Sequence, residues 1–98
     1  MASHPIGKMV WSPQGVLLHR IAITQIVPDT AGGPLDPQRL RLLERGFDTL
    51  ETIINDPHWR GDPIALERMG ARFSINNGRH RIYLANAKGL VAVWAQIV

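Results

Sequence analysis

The residues with the clearest potential for chemistry lie in the segment 73–81, FSINNGRHR. Its first half is typical of a β-strand, and a turn at Asn77 and Gly78 leads directly into a predicted helix. Three residues that are or can become cationic fill the first turn of that helix: Arg79, His80 and Arg81. A helix N-terminus has unpaired N–H groups and a positive dipole end, so cations are disfavoured there unless an anion binds. The pattern therefore predicts an anion site, at which Gly78 lets a ligand approach the backbone closely.

The side chains of this turn suit a phosphate ligand. The planar forks of Arg79 and Arg81 can each donate two hydrogen bonds to phosphate oxygens. His80 titrates near neutral pH and can move a proton. A purely structural interpretation stays open, in which the two arginines pair with Glu67 or Asp62 and His80 is a satisfied, partly buried histidine.

The composition narrows the class of protein. Hydrophobic residues make up 45% of the 98 residues and charged residues 19%, which predicts one globular domain over residues 1–98 rather than a disordered chain. Without an apolar run near the roughly 18 residues that span a bilayer, no membrane partner is predicted and the acting domain is expected in the cytoplasm. The chain has no cysteine, and its four histidines lack metal-ligand spacing, so no metal site is predicted. A requirement for Mg²⁺ as a cofactor stays open.

The charge is unevenly distributed along the chain. Residues 1–56 hold five basic and six acidic residues, whereas residues 57–98 hold six basic and two acidic residues. Nine of the eleven bases are arginine, which suits bidentate contact with phosphate. An anionic partner such as a nucleotide or a nucleic acid is therefore favoured, although charge that serves only solubility gives the same count.

Hydrophobic periodicity and turn residues predict an α+β fold around the turn. Residues 16–27 predict a strand, or a strand with a kink, that ends at Pro28, with a loop over 29–34. An apolar stripe at steps of three and four predicts one helix from about Pro37 to Asn55, with Asp36 as its N-cap. The later elements are short strands over 64–69 and 71–76, a helix over 78–88 ended by Gly89, and a half-buried strand over 90–98.

Two further expectations concern the ends of the chain and its aromatic residues. The first 15 residues are expected to be irregular or to form an edge segment. Four aromatic side chains are assigned to the core: Trp11, Phe73, Tyr83 and Trp94.

The order of these elements resembles the ParB/sulfiredoxin superfamily over most of the chain. The features that carry the resemblance are the apolar stretch before Pro28, the long helix, the pair Pro63-Ile64, the turn Gly78-Arg79-His80-Arg81 and the terminal strand. The resemblance implies a small mixed sheet flanked by helices and a phosphate-binding turn at Gly78. Two positions depart from the family pattern. Arg79 stands where sulfiredoxins have their cysteine, which excludes sulfinic acid reductase chemistry, and Asn77 stands where an acidic residue is often found.

The resemblance also implies candidate site residues outside the turn. Arg39 lies where ParB-like domains place nucleotide-contacting residues, so it joins Asn77, Gly78, Arg79 and Arg81 as a predicted phosphate or nucleic-acid ligand. His58 lies in a loop expected to approach the turn, where it would act as a general base beside a stacking Trp59. Glu67 is a candidate acid or base. The predicted catalytic residues are therefore His80, His58 and Glu67, although His58 and Trp59 also fit an exposed residue and a core anchor.

These features together predict a domain that acts on nucleotides or nucleic acid, and we expect a nuclease, that is, a phosphodiester hydrolase. The resemblance extends to toxin modules of bacterial competition systems, which can be delivered within a larger secreted protein. Such a module would have an acidic immunity protein as its inhibitor, because carboxylates mimic phosphate. The alternative is a non-catalytic ParB-type module that binds nucleotides or DNA. A small-molecule kinase is less favoured because of Asn77.

Overall fold

The computed structural model describes residues 5–28 and 34–98. Within these ranges the strands are β1 (Met9–Trp11), β2 (Leu17–Ala22), β3 (Ile64–Met69), β4 (Arg72–Asn77) and β5 (Ala92–Ile97). The helices are α1 (Pro37–Arg45), α2 (Phe47–Ile54) and α3 (Arg79–Ala87), with a short 3-10 turn over Ile23–Gln25. The predicted α+β class is confirmed. The elements follow the predicted order except that β1 precedes the first predicted strand and two helices, α1 and α2, replace the first predicted helix. The loop predicted at 29–34 lies, apart from Pro34, outside the described residues.

The strands form one mixed sheet in the order β1-β2-β5-β3-β4. Strand β5 pairs antiparallel with β2 and parallel with β3, while the outer pairs β1–β2 and β3–β4 are antiparallel. Since β5 lies in the middle of the sheet, its residues Ala92 to Ala95 are all buried. The predicted half-buried strand is therefore wrong in its burial, because alternation in the sequence does not show that elements cover both faces of a central strand.

The core joins the sheet to the three helices. Leu50 and Ile54 of α2 and Ile82 of α3 belong to the same buried cluster as Val93 of β5 and Leu66 of β3. Half-buried apolar residues of α1 pack against this cluster, as the stripe predicted. The sheet and the helices therefore share one core among the described residues.

The single helix predicted over 37–55 is wrong, because the structure divides it at Gly46. Gly46 adopts φ −99° and ψ 26°, outside helical geometry, and it separates α1 from α2. Glycine costs about 1 kcal/mol in a helix interior relative to alanine, so the chain turns there most easily. Asp36 caps α1 as predicted, because its Oδ1 accepts a hydrogen bond from the Gln38 N–H at 3.0 Å.

The aromatic assignments are half correct. Phe73 and Trp94 are buried, at 7% and 4% exposure, whereas Trp11 and Tyr83 are 66% and 52% exposed. Trp11 lies on β1, a three-residue strand at the edge of the sheet. Tyr83 lies on the outer side of α3. Neither position can be distinguished from a core position by residue type.

Strand β4 runs directly into α3 through one glycine, as predicted. Gly78 has φ +105° and forms the N-cap of α3, and Gly89 has φ +81° after its C-terminus. A Cβ on Gly78 would lie 3.0 Å from Ile64 Cγ1 and 3.1 Å from Arg81 Nη2, whereas a Cβ on Gly89 would meet nothing within 4 Å. The turn therefore needs a glycine for two reasons, conformation and space.

We expect Gly78→Ala to destabilise the protein more than Gly89→Ala. Both variants carry about 1–2 kcal/mol of left-handed backbone strain, but only the first adds crowding against Ile64 and Arg81. Thermal unfolding of the two variants checks this. Equal losses in Tm would show that the neighbours of Gly78 yield without cost.

Candidate functional site

A cleft of about 460 Å³ opens at the N-terminus of α3. Its size falls in the range of about 300–1,000 Å³ typical of small-molecule sites. The described residues that line it come from α1, the 55–63 loop, the end of β4 and the start of α3: Arg39, Leu43, Trp59, Asp62, Ile75, Asn76, Asn77, Gly78, Arg79, His80 and Arg81. The N-terminus of α3, where the sequence predicts an anion site, therefore opens onto a cleft.

The structure brings together most of the predicted site residues. All five predicted phosphate ligands line the cleft: Arg39, Asn77, Gly78, Arg79 and Arg81. Of the three predicted catalytic residues, His80 lines it, and His58 and Glu67 are not among the lining residues. The candidate site therefore has several binding groups but only one of the expected proton carriers.

The electrostatic character of the cleft is positive. Three arginines line it, and Asp62 is the only carboxylate among its described lining residues. The α3 N-terminus adds its dipole, and Gly78 has no side chain with which to cap the first-turn N–H groups. The arrangement is suited to an anion that accepts hydrogen bonds from backbone and guanidinium donors.

Asp62 organises one side of the cleft. Its Oδ2 accepts a hydrogen bond from Asn77 Nδ2 at 2.8 Å, and its backbone oxygen accepts one from Arg81 Nη1 at 2.7 Å. Burial lowers the pKa of the Arg81 guanidinium, the charge of Asp62 raises it, and the charge of Arg39 lowers it further. Arginine keeps its charge in proteins, so the lowered pKa reflects mainly the cost of burying a charged guanidinium rather than its neutralisation.

Asp62 is the site residue that the sequence reasoning missed as a functional group, since it was considered only as an ion-pair partner. The register between β3 and β4 is what places Asp62 at the cleft. Ala65 of β3 pairs with Asn77 of β4, next to a register shift, and the chain just before β3 therefore passes beside the turn. The same amide of Asn77 also donates to the Pro63 oxygen at 3.3 Å.

His80 ties α3 to the start of α1. Its Nε2 accepts a hydrogen bond from the Asp36 N–H at 3.0 Å. Burial lowers the pKa of His80, and the charges of Arg39 and Arg79 lower it further, while Asp36 opposes them. Because Nε2 accepts this hydrogen bond, its lone pair is occupied and the bonded imidazole is the neutral form with its proton on Nδ1.

The other two predicted catalytic residues are engaged elsewhere. The His58 side chain is 68% exposed, and its Nδ1 lies 3.8 Å from Asp56 Oδ1 within the same loop. Glu67 is exposed on β3 and accepts a hydrogen bond from Asn76 Nδ2 at 3.0 Å. Trp59, by contrast, is half-buried and contributes an apolar wall to the cleft.

Among residues 5–28 and 34–98, no group of three or more His, Asp or Glu residues is placed to hold a metal ion. None of the helices in these ranges is both long and apolar enough to cross a bilayer.

The sheet order and the glycine turn into α3 define the ParB/sulfiredoxin-like fold. Sulfiredoxin from Arabidopsis thaliana has this fold and superimposes with a TM-score of 0.59 and 17% sequence identity, covering 83% of each chain. C-terminally truncated SbnI from Staphylococcus aureus gives a TM-score of 0.56 and 23% identity over 83% of this chain. This match covers 30% of the SbnI chain. The fold predicted from the resemblance is thus confirmed.

Sequence comparison gives no further relative. No protein-family model matches the sequence, and no curated protein matches it.

We expect the pKa of His80, measured by NMR titration, to lie below that of an exposed histidine and to rise in Arg39→Ala. Removing the Arg39 charge removes one of the causes that lower it. Arg41→Ala is the matched control, because Arg41 is exposed on the same helix and does not line the cleft. An equal response to both substitutions would mean that the net charge, rather than the cleft, sets this pKa.

Proposed function

We propose that the cleft binds the phosphate of a nucleotide or nucleic acid at the Gly78 turn. The observation that carries this proposal is the convergence of Arg39, Arg79 and Arg81 on the N-terminus of α3. Two of these cations, Arg79 and Arg81, lie in the first turn of α3, where the helix dipole disfavours positive charge. A bound phosphate would offset both the dipole and the repulsion between the guanidinium groups.

The proposed roles follow from the position of each group. The N–H groups at the start of α3 and the Arg81 fork would hold the phosphate oxygens. Arg39 approaches from α1 and would contact the same phosphate or its neighbour. Asp62 and Asn77 would orient Arg81 and the turn, because Asp62 accepts hydrogen bonds from both.

As the activity of this site we propose phosphodiester hydrolysis. A water oxygen would attack phosphorus, the bond from phosphorus to the leaving oxygen would break, and the proton lost by water would pass to a base while the leaving oxygen gains one. His80 has its imidazole in the cleft and would be the residue that moves the proton. The arginines would stabilise the charge that develops on the phosphoryl oxygens.

The second candidate function is binding without turnover, and one observation favours it. The Nε2 lone pair of His80 accepts the Asp36 N–H, so this nitrogen can take a proton only after that hydrogen bond breaks. Incubation of the protein with plasmid, total RNA and a nucleotide panel, with and without Mg²⁺, separates the two functions. Retained binding without any product would identify a binding module.

The same charge pattern fits an acidic protein as inhibitor. Carboxylates that mimic phosphate would block the Gly78 turn directly. Such an inhibitor is expected if the domain acts as a toxin module. An inhibitor bound on the face that carries Asp48 and Glu51, leaving the turn open, would contradict direct blockade.

We expect Arg81→Ala to weaken the binding of inorganic phosphate and of mononucleotides by about tenfold or more. The substitution removes charge-assisted hydrogen bonds worth roughly 1.5–3 kcal/mol each. Calorimetric titration measures the effect. Arg41→Ala changes the net charge equally without touching the cleft, so its affinity should stay near that of the parent protein.

Circular dichroism and thermal unfolding must accompany the Arg81 measurement, since Arg81 also donates to the Asp62 backbone. If Arg81→Ala folds normally and keeps full affinity, the phosphate site is elsewhere. Equal losses in the Arg41 and Arg81 variants would indicate a long-range charge effect.

We expect His80→Ala to lower turnover by ~100-fold or more while leaving phosphate affinity nearly unchanged, if hydrolysis is observed. A residue that moves a proton affects the rate and its pH profile, whereas a phosphate ligand affects affinity. Steady-state rates across pH, beside phosphate titrations, measure both. Weakened binding with an unchanged pH profile would assign His80 to the binding site instead.

A further inference from the structure

A second cavity, of about 290 Å³, adjoins the cleft. Arg79 and Ile75 line both spaces, so one arginine and one isoleucine form the wall between them. The volume lies at the lower end of the range for small-molecule sites. It suits a fragment of the size of a nucleobase or nucleoside rather than a whole nucleotide.

The lining of the second cavity differs from that of the cleft. Its inner wall is aliphatic and includes Ile26 and Ile82, whereas Arg72, Tyr83 and Asn86 supply polar groups. A nucleobase has this combination of properties, with two apolar faces and a hydrogen-bonding edge. Aromatic rings stack on bases, and an amide side chain can both donate to and accept from a base edge.

The charges around this cavity argue for an anionic chain and against an apolar peptide. Arg72 and Arg79 line it, and none of its described lining residues is an aspartate or glutamate. Arg72 lies beside Thr24, to whose backbone oxygen its Nη2 donates at 3.3 Å. The positive potential of the cleft therefore continues past Arg79 into the second cavity.

We propose that the second cavity holds a nucleoside on one side of the phosphate bound at the Gly78 turn. The larger cleft then holds the phosphate together with the other nucleoside, so the ligand is a chain of at least two nucleosides, whose phosphodiester passes over Arg79 from the cleft into the second cavity. This inference rests on the proposed function and adds the length of the ligand to it. A base inside the cavity cannot be paired, so the chain is single-stranded or locally opened.

The test uses four homodinucleotides, each with two identical nucleosides joined by one phosphodiester, and the matching mononucleotides. We expect at least one dinucleotide to bind the parent protein about tenfold more tightly than its mononucleotide, because stacking one base contributes measurably to affinity. NMR titration gives the affinities and should place shifts at Tyr83 and Asn86. Chromatography afterwards verifies that the dinucleotide is intact.

Two variants change the second cavity at residues that do not line the cleft. Asn86→Trp fills the space and Tyr83→Ala removes the stacking ring, and both positions are exposed, so folding is retained. Each variant should bind the dinucleotide only as tightly as the mononucleotide and leave mononucleotide affinity unchanged. Thr49→Trp is the matched control, because Thr49 is exposed on α2 and lines neither cavity.

The outcomes distinguish this inference from the proposed function. If neither inorganic phosphate nor any mononucleotide binds, the proposed function and this inference both fail. If mononucleotides bind but dinucleotides bind no more tightly, the inference alone fails. The inference also fails if Asn86→Trp leaves the dinucleotide affinity unchanged, or if it weakens the binding of the dinucleotide and of the mononucleotide equally.

Discussion

The convergence of three guanidinium groups on the positive end of α3 is the constraint on which the cleft depends. Like charges in a half-buried space repel one another, and the helix dipole adds to the positive potential. Burial, the largest cause, and the charge of Arg39 both lower the pKa of Arg81, while the charge of Asp62 opposes them. The fold fixes the arginines through neutral acceptors, since Arg81 donates to the Asp62 backbone oxygen and Arg79 to that of Pro34 at 3.4 Å. These two contacts with backbone oxygens position the Arg79 and Arg81 side chains beside the N-terminus of α3.

The turn itself could be predicted from the sequence, because local signals define it. A strand-forming run followed by asparagine and glycine, and then by a helical stretch that ends at Gly89, needs no distant information. The full set of cleft residues could not be predicted in this way. Asp62 reaches the cleft through the pairing of β3 with β4, whereas Glu67 on the same strand bonds to Asn76. Which carboxylate meets the arginines is decided by strand register, and residue types alone do not report it.

The same distinction between local and long-range information explains which predictions about the fold were wrong. Gly46 is one glycine in an otherwise regular apolar stripe, and a glycine inside a helix pattern is compatible with either a continuous helix or a break. The burial of β5 and the exposure of Trp11 depend on the order of the strands in the sheet, because β5 is central and β1, which carries Trp11, lies at an edge. Hydrophobic patterns predicted the segments that contain β2, β3, β4 and β5, and the order of the strands across the sheet determined which faces are covered.

The central place of β5 has a consequence for how the protein is made. Strands β1 and β2 form one antiparallel pair and β3 and β4 form another, and β5 alone connects the two pairs. During synthesis the ribosome releases β5 after β1 to β4, so the two earlier strand pairs wait with unpaired inner edges. Exposed strand edges are templates for misassembly, and nonlocal pairing of this kind slows folding. The nascent chain is therefore at its most aggregation-prone until residues 92–97 leave the exit tunnel, and a chaperone that shields strand edges would act in that interval.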